Sequence, residues 1–315
     1  MHPAPSIIAF TTASGAGYGL LFLLGLMAPA GLIPSTRALG VAGLGLALGL
    51  ITLGLCASLL HLGHPERAWR AISQWRSSWL SREGAMALLT YPPALAFAAG
   101  WVLLERTGGW IAASGLLAAI GAALTVYCTS MIYASLQPIR EWRQPLVPPV
   151  YLTFALMTGA LLLHALLLLF GAGRGWAAAL ALLATALAFG LKGIYWAALG
   201  RAEPGPTPES ATGLDALGKV RMLEPPHTET NYLLHEMGFC VARRHAVKLR
   251  WYACLLGGVG VALLTLLALL SNGAPASLLT LLAALSGIAG VAIERWLFFA
   301  EATHTVILYY GRRAD

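Results

Sequence analysis

The dominant pattern in this sequence is a series of long apolar stretches separated by polar segments. A helix needs about 20 mostly apolar residues to cross a bilayer, and eight stretches reach that length. They lie at 14–34, 39–62, 84–104, 110–136, 148–171, 175–199, 250–270 and 277–308. The pattern predicts an all-α integral membrane protein, a bundle of eight transmembrane helices that forms a single membrane domain over residues 1–315.

Composition agrees with this prediction. The chain has 315 residues, of which 58% are hydrophobic and only 10% are charged. The formal net charge of +7 is compatible with nucleic-acid binding. However, most cations lie in polar segments beside apolar stretches, where they set the orientation of a membrane protein. Nucleic acid is therefore excluded as a partner, and membrane lipid is the expected surroundings.

The distribution of cations predicts the orientation. Eight spans place both termini on one side, here called face A, and the opposite side is face B. Fifteen Lys and Arg residues lie in face-A segments, whereas face B has only Arg37, Arg106 and Arg174. Positively charged segments stay in the cytoplasm, so face A and both termini are predicted to be cytoplasmic, in a bacterial inner membrane. Lys192 and Arg295 fall inside spans, where they are expected to pair or to reach toward the interface.

The longest polar segment, residues 201–248, lies on face A and is predicted to dock a partner subunit. It mixes charged and aromatic residues after a turn-rich start, although a solvated, positively charged tether is an alternative interpretation. The four cysteines show no CxxC spacing. The chain therefore has no cluster motif of its own, and any iron-sulfur cluster is expected in a partner.

The segment HLGHPERAWRAISQWRSSWLSREGA, residues 61–85, joins the second and third spans. Pro65 is predicted to end the second span at His64, which leaves His61 and His64 at the membrane edge. The tryptophans and arginines that follow are typical of a segment that lies in the interface. Glu83 then begins the third span, where the helix dipole alone would account for a carboxylate.

The last span contains four ionisable residues. Helical spacing predicts that Glu294, Glu301 and His304 share one face and that Arg295 points elsewhere. Ionisable groups at membrane depth are costly and commonly mark proton or ligand paths. His164 lies inside the fifth span nearer face B, where a hydrogen-bonded structural histidine and a haem ligand both remain open.

Five of these polar residues are predicted to converge near face A, namely His61, Glu83, Tyr133, Glu301 and His304. Such a group is what a quinone pocket needs, because quinone reduction takes two electrons and two protons. A histidine can bind a carbonyl oxygen and pass a proton near neutral pH, and a buried carboxylate can relay protons. His61, Glu83, Glu301 and His304 are the candidate catalytic residues.

Three segments carry a resemblance to a known family. HLGHPERAW…LSREGA, the YCTSMIYAS run and the terminal ERWLFFAEATHTV resemble DmsC/NrfD-type membrane anchors of molybdopterin oxidoreductases, over nearly all eight spans. The resemblance implies an eight-helix bundle that binds ubiquinone or menaquinone, with His61, Arg67 and Glu83 in the quinone role and His304 in the place of the family's late histidine. It also implies two partners, a ferredoxin-like four-cluster iron-sulfur subunit and a molybdopterin catalytic subunit.

The predicted orientation and the long loop favour the branch of the family that anchors a cytoplasm-facing sulfite dehydrogenase. The implied reaction is oxidation of sulfite to sulfate at the partner's molybdenum, with electrons passed to quinone in this chain. Two alternatives remain, a quinol-oxidising anchor of a dimethyl sulfoxide or polysulfide reductase, and an ion or solute transporter that uses Glu294 and Glu301. A subsidiary hypothesis is a b-type haem, for which His61, His164 and His304 are the candidate ligands.

Overall fold

The structure is a computed structural model that describes residues 3–60, 62–173, 175–201, 205–221, 223–224 and 241–310. Within these ranges the chain forms helices and turns and no β-strand, and eight helices are long and apolar enough to cross a membrane. We label them α1 (Pro5–Met27), α2 (Arg37–Leu59), α3 (Trp79–Leu104), α4 (Trp110–Ala134), α5 (Val147–Leu169), α6 (Gly175–Arg201), α7 (His245–Leu269) and α8 (Gly273–Ala300). The predicted all-α bundle of eight spans is confirmed.

The first helix starts earlier than its apolar stretch. It begins at Pro5 rather than at residue 14, because its polar residues bond within the helix. The Thr11 hydroxyl donates to the Ile7 carbonyl at 2.9 Å, and the Ser14 hydroxyl donates to the Phe10 carbonyl at 2.6 Å. Such bonds satisfy hydroxyl groups inside an apolar bundle.

The last helix is shorter than predicted and ends at Ala300 rather than at residue 308. A non-helical stretch and a 3₁₀ helix, Thr305–Tyr310, follow it. His304 forms a backbone bridge with Ile139 in the connection after α4, and this pairing replaces further helix. The prediction that Glu294, Glu301 and His304 share one helical face is therefore wrong.

The connection from α2 to α3 also differs from the prediction. Pro65 does exclude His64 from the helix, since His64 has φ −137° and ψ 75°. However, α2 already ends at Leu59, and its exposed C-cap Leu60 has little packing to hold another turn. A 3₁₀ helix, Pro65–Gln74, then runs to the start of α3.

Helix α1 lies at the centre of the bundle and packs against α2, α4, α5 and α8. Its crossing with α5 depends on two glycines. A Cβ atom on Gly19 would overlap the Ala155 carbonyl oxygen, and one on Gly159 would overlap the backbone of Gly19. Close backbone approach at small residues is the common way in which membrane helices associate.

The predicted docking segment is described only in part. It contains a short helix, Pro208–Thr212, which a capping box at Thr207 begins and which contacts the C-terminal 3₁₀ helix. Residues 225–240, which hold both of its aromatic residues, Tyr232 and Phe239, lie outside the described ranges. Its role in docking stays a prediction.

Candidate functional site

A large cavity lies at the face-A end of the bundle, between α1, α2, α3 and α4. Its volume is about 860 Å³. Phe10, Leu59, Ala87 and Ile132 contribute one wall each from these four helices, and Trp69 of the 3₁₀ helix covers a further side. The size and the apolar lining are typical of a site for an organic molecule rather than for an ion.

A few polar groups lie among these apolar walls. The Glu83 carboxylate is 5% exposed, and its Oε1 accepts a short hydrogen bond from the Thr129 hydroxyl of α4. The Thr52 and Tyr91 hydroxyls are 2.8 Å apart and join α2 to α3, and Tyr133 completes the polar lining. The cavity thus has one acid and several hydroxyl groups to orient a mostly apolar ligand.

The side of the cavity between α2 and α3 faces outward from the bundle. Helix α2 packs mainly against α1 and α3 mainly against α4, whereas α2 and α3 touch each other little. Leu59 and Leu88 line the cavity on this side, and both are exposed. A lipophilic molecule can therefore reach the cavity from the hydrocarbon of the bilayer.

The 3₁₀ helix over the cavity is fixed to the start of α3 by hydrogen bonds. The Gln74 backbone N–H donates to the Ser81 hydroxyl at 3.0 Å. The Arg82 guanidinium donates to the Trp75 carbonyl at 2.9 Å and to the Arg76 carbonyl at 2.7 Å. These bonds hold the Trp-rich segment as a cover on the face-A side.

Of the predicted site residues that the structure describes, two meet in this cavity and the others do not. Glu83 and Tyr133 both line it. His61 lies outside the described residues, although its neighbour Leu62 is part of the lining. Arg67 is exposed on the 3₁₀ helix and is not among the lining residues.

Glu301 belongs to a second, more polar cavity of about 270 Å³. Its Oε1 is 3.0 Å from both Nε and Nη2 of Arg250, and Arg140 and Glu141 also line this cavity. Burial raises the pKa of the Glu301 carboxyl, and the Arg250 guanidinium opposes that shift. The expected convergence of Glu301 with Glu83 in one pocket is wrong, because α7 supplies a partner that holds Glu301 elsewhere.

His304 is also separate from the large cavity. Its Nδ1 accepts a hydrogen bond from the Val306 backbone N–H at 3.0 Å, and the Thr305 N–H donates to the Pro138 carbonyl at 3.1 Å. Burial lowers the pKa of the His304 imidazole. In this structure His304 ties the C-terminal segment to the connection after α4 instead of entering the quinone pocket that the sequence predicts.

The histidines restrict the haem hypothesis. His164 is 3% exposed, and neither of its ring nitrogens has a hydrogen-bond partner among the described residues. It lies 17 residues beyond Val147, which places it about 25 Å below the face-A end of α5. His304 lies at that end, so His164 and His304 cannot ligate the same iron. A pairing of His61 with His304 stays a prediction, and the described residues contain no group of three or more potential metal ligands.

A buried ionic cluster lies deeper in the bundle. Lys192 Nζ is 2.6 Å from Glu294 Oε1, and Arg295 Nε is 3.5 Å from Glu294 Oε2. All three residues are at most 2% exposed, and the Arg295 guanidinium lies 3.5 Å over the centroid of the Tyr151 ring. The expectation that Lys192 and Arg295 each pair with another group is thus confirmed, since both contact Glu294. The expectation that Arg295 points away from Glu294 is wrong.

Sequence reasoning missed three residues of the site, Thr129, Thr52 and Tyr91. Spacing along a helix could have identified two of them. Tyr91 lies eight residues after Glu83, and Thr129 lies four residues before Tyr133, so each shares a face with a recognised residue. Thr52 carries no such signal, because only the packing of α2 near α3 reveals its bond to Tyr91.

Comparison with known proteins places this architecture in a family. The family described as DMSO reductase anchor subunit (DmsC) matches residues 1–301. The chain belongs to the DmsC anchor family. This DmsC anchor is also similar to a sulfite dehydrogenase subunit of Allochromatium vinosum, with 34% identity over 337 aligned residues that cover 98% of this chain and 99% of that protein.

The family explains the architecture in functional terms. A DmsC anchor is a multi-span membrane subunit of a molybdoenzyme-type oxidoreductase complex, so catalytic partner subunits are implied. The resemblance seen in the sequence motifs is confirmed. The transporter alternative loses its support, because the intramembrane carboxylates that motivated it belong to an anchor subunit.

Proposed function

We propose that the large face-A cavity binds a quinone and that this anchor delivers electrons from a sulfite-oxidising complex to it. The observation that carries the proposal is the buried Glu83 carboxylate, bonded to Thr129, in the wall of an apolar cavity that opens between α2 and α3. A quinone combines a flat polar ring with an apolar tail. The hydroxyls and Glu83 suit the ring, and the lipid-facing opening suits the tail.

In the proposed reaction this chain supplies the protons and its partner subunits supply the electrons. A quinone that takes up two electrons and two protons becomes a quinol. Glu83 lies where it can pass a proton to a ring oxygen, and Tyr133 can donate a hydrogen bond to one. His61 keeps its predicted role at the second oxygen, since the adjacent Leu62 lines the cavity. A ferredoxin-like iron-sulfur subunit docked on face A supplies the electrons.

The similarity to the Allochromatium vinosum sulfite dehydrogenase protein supports sulfite as the electron source. Sulfite and water give sulfate, two protons and two electrons, which balances the reduction of one quinone. This oxidation would occur at the molybdenum of a catalytic subunit in the cytoplasm. The direction of electron flow depends on the potentials of the partner subunits, so a reductase that oxidises quinol is the alternative function of the same cavity.

The test uses the purified complex with its partner subunits, sulfite as donor and decylubiquinone as acceptor. We expect Glu83→Gln to lower turnover at least tenfold, because the amide cannot pass a proton, while assembly stays intact. Glu105→Gln is the matched control, since Glu105 ends the same helix on face B in an exposed pair with Arg37. Equal turnover in wild type and Glu83→Gln would refute the site assignment.

A further inference from the structure

A series of buried polar groups lies between the face-A cavity and the Glu301 cavity. The first connection is the Glu83–Thr129 hydrogen bond. Glu83 faces the large cavity, whereas Thr129 also lines a small internal cavity of about 20 Å³ between α1, α4, α5 and α8. This pair therefore separates two cavities and has one member in each.

The small cavity has several polar groups in its lining and is large enough for a water molecule. Thr12, Tyr18, Tyr151 and Arg295 line it together with Thr129. The Thr12 hydroxyl is buried and has no hydrogen-bond partner among the described residues. Polar groups buried in a membrane bundle are normally bonded, so this convergence fits a bound water that bridges them.

The buried ionic cluster continues from the small cavity. The Arg295 guanidinium lines it and lies 3.5 Å from Glu294 Oε2, while Glu294 Oε1 lies 2.6 Å from Lys192 Nζ. Arginine stays charged, whereas a carboxylate and an amine can each gain or lose a proton. Lys192 and Glu294, the two groups of the cluster that can exchange a proton, are thus held in contact.

The last connection runs from Lys192 to the Glu301 cavity. Lys192 Nζ lies 5.4 Å and Arg250 Cζ lies 5.3 Å from the centroid of the Trp196 ring. Trp196 lines the Glu301 cavity, where Arg250 holds Glu301. Lys192 and Arg250 of this cavity thus lie beside the same tryptophan ring.

We infer that Glu294 and Lys192 relay protons from the Glu301 cavity to Glu83. The inference rests on the proposed function: a quinone that receives two electrons from the partner subunit needs two protons, and the relay delivers at least one of them. The proton passes from Glu301 by way of Lys192 to Glu294. It then passes beside the Arg295 guanidinium, which keeps its own charge, into the small cavity, and the Thr129 hydroxyl hands it on to Glu83, which donates it to the quinone. Glu83 is then reprotonated along the same route.

The energetic cost of the cluster supports a functional role. Removing charges from water is expensive, and well-packed apolar residues commonly replace a buried ion pair without loss of stability. One end of the cluster reaches the small cavity through Arg295, and the other end lies beside Trp196 of the Glu301 cavity, which a purely structural ion pair would not require. Ionisable residues at membrane depth usually face such paths.

The test compares the wild-type complex with the double variant Lys192→Met/Glu294→Gln. This variant removes one cation and one anion, so the net charge of the cluster is unchanged and Arg295 keeps its stacking on Tyr151. We expect turnover with sulfite and saturating decylubiquinone to fall at least tenfold at pH 8, and to fall further as pH rises. We also expect a larger solvent deuterium isotope effect, an unchanged KM for decylubiquinone, and partial recovery on addition of acetate.

The double variant Arg37→Met/Glu105→Gln is the control, because it removes the exposed ion pair on face B in the same way. A relay variant with wild-type turnover and pH profile overturns the relay and leaves the proposed function intact. A loss of turnover with a raised KM and no change in pH profile or isotope effect also overturns the relay, in favour of a structural role. Failure of the wild-type complex to reduce decylubiquinone overturns both proposals.

Discussion

At the scale of single residues, the bond from Thr129 to Glu83 distinguishes this carboxylate from an ordinary helix-start acid. Thr129 forms two hydrogen bonds. Thr129 bonds the Thr125 carbonyl of its own helix at 3.0 Å, as many buried threonines do, and it also donates to Glu83 of α3. The second bond makes Glu83 part of a connection between helices, which a helix dipole alone does not explain.

We predict that Thr129→Val lowers quinone turnover roughly tenfold, because a hydrogen bond to a charged group contributes about 1.5–3 kcal/mol. The shape of the side chain is nearly unchanged. Thr153→Val is the matched control, since among the described residues the Thr153 hydroxyl bonds only the Pro149 and Val150 carbonyls of its own helix. Steady-state decylubiquinone reduction measures the effect, and similar turnover in both variants would contradict a role for the Glu83 bond.

At the scale of elements, the glycines of the helix crossings show how close packing restricts the chain. Gly159 touches the backbone of Gly19, whereas no atom of the described residues lies within 4 Å of a Cβ atom placed on Gly190 of α6. Alanine favours a helix over glycine by up to about 1 kcal/mol. Helix propensity alone therefore predicts that a Gly→Ala substitution stabilises the chain equally at both positions. Packing predicts that it destabilises the chain at Gly159 and not at Gly190.

We predict that Gly159→Ala lowers the apparent Tm of the detergent-solubilised chain, because overpacking costs about 1–3 kcal/mol. Gly190→Ala should leave the Tm unchanged or raise it slightly. Thermal unfolding followed by size-exclusion chromatography measures both. An unchanged Tm in Gly159→Ala would show that α1 and α5 can separate without loss.

The cavity offers a second test at this scale. Gly84 lines the cavity, and among the described residues a Cβ atom placed on it would meet only Ile72 Cγ1, at 3.9 Å, so a larger side chain there has room to begin extending into the cavity. We predict that Gly84→Leu raises the KM for decylubiquinone about tenfold while the Tm stays the same. Gly49→Leu is the control, because Gly49 is exposed on α2 and has open space beside it. Equal KM values in the two variants would place the quinone elsewhere.

At the scale of the whole molecule, the positive charge on face A predicts its orientation. Ser210 and Ser35 are exposed on face A and face B respectively. We predict that a membrane-impermeant maleimide added to intact spheroplasts labels Ser35→Cys but not Ser210→Cys, with the wild-type chain as the blank for native cysteines. Labelling of Ser210→Cys alone would place face A outside and exclude a cytoplasmic sulfite dehydrogenase.

The sequence by itself determined the number and type of the helices, because hydrocarbon requires about 20 apolar residues per span and leaves few alternatives. It also determined the family, through motifs that extend along the chain, and it identified Glu83 and Tyr133 at the correct end of their helices. These properties depend on local composition and on spacing within one helix, which a single sequence contains.

Only the tertiary structure decided which polar groups meet. In the structure Thr129 donates a hydrogen bond to Glu83, and Arg250 forms an ion pair with Glu301. Lys192 and Arg295 both form ion pairs with Glu294. The tertiary structure also ended α8 before His304. Each of these outcomes depends on which helices are neighbours and at what depth, and that is set by packing between segments far apart in the chain. The candidate cavity exists for the same reason, because α2 and α3 pack on different partners and leave space between them.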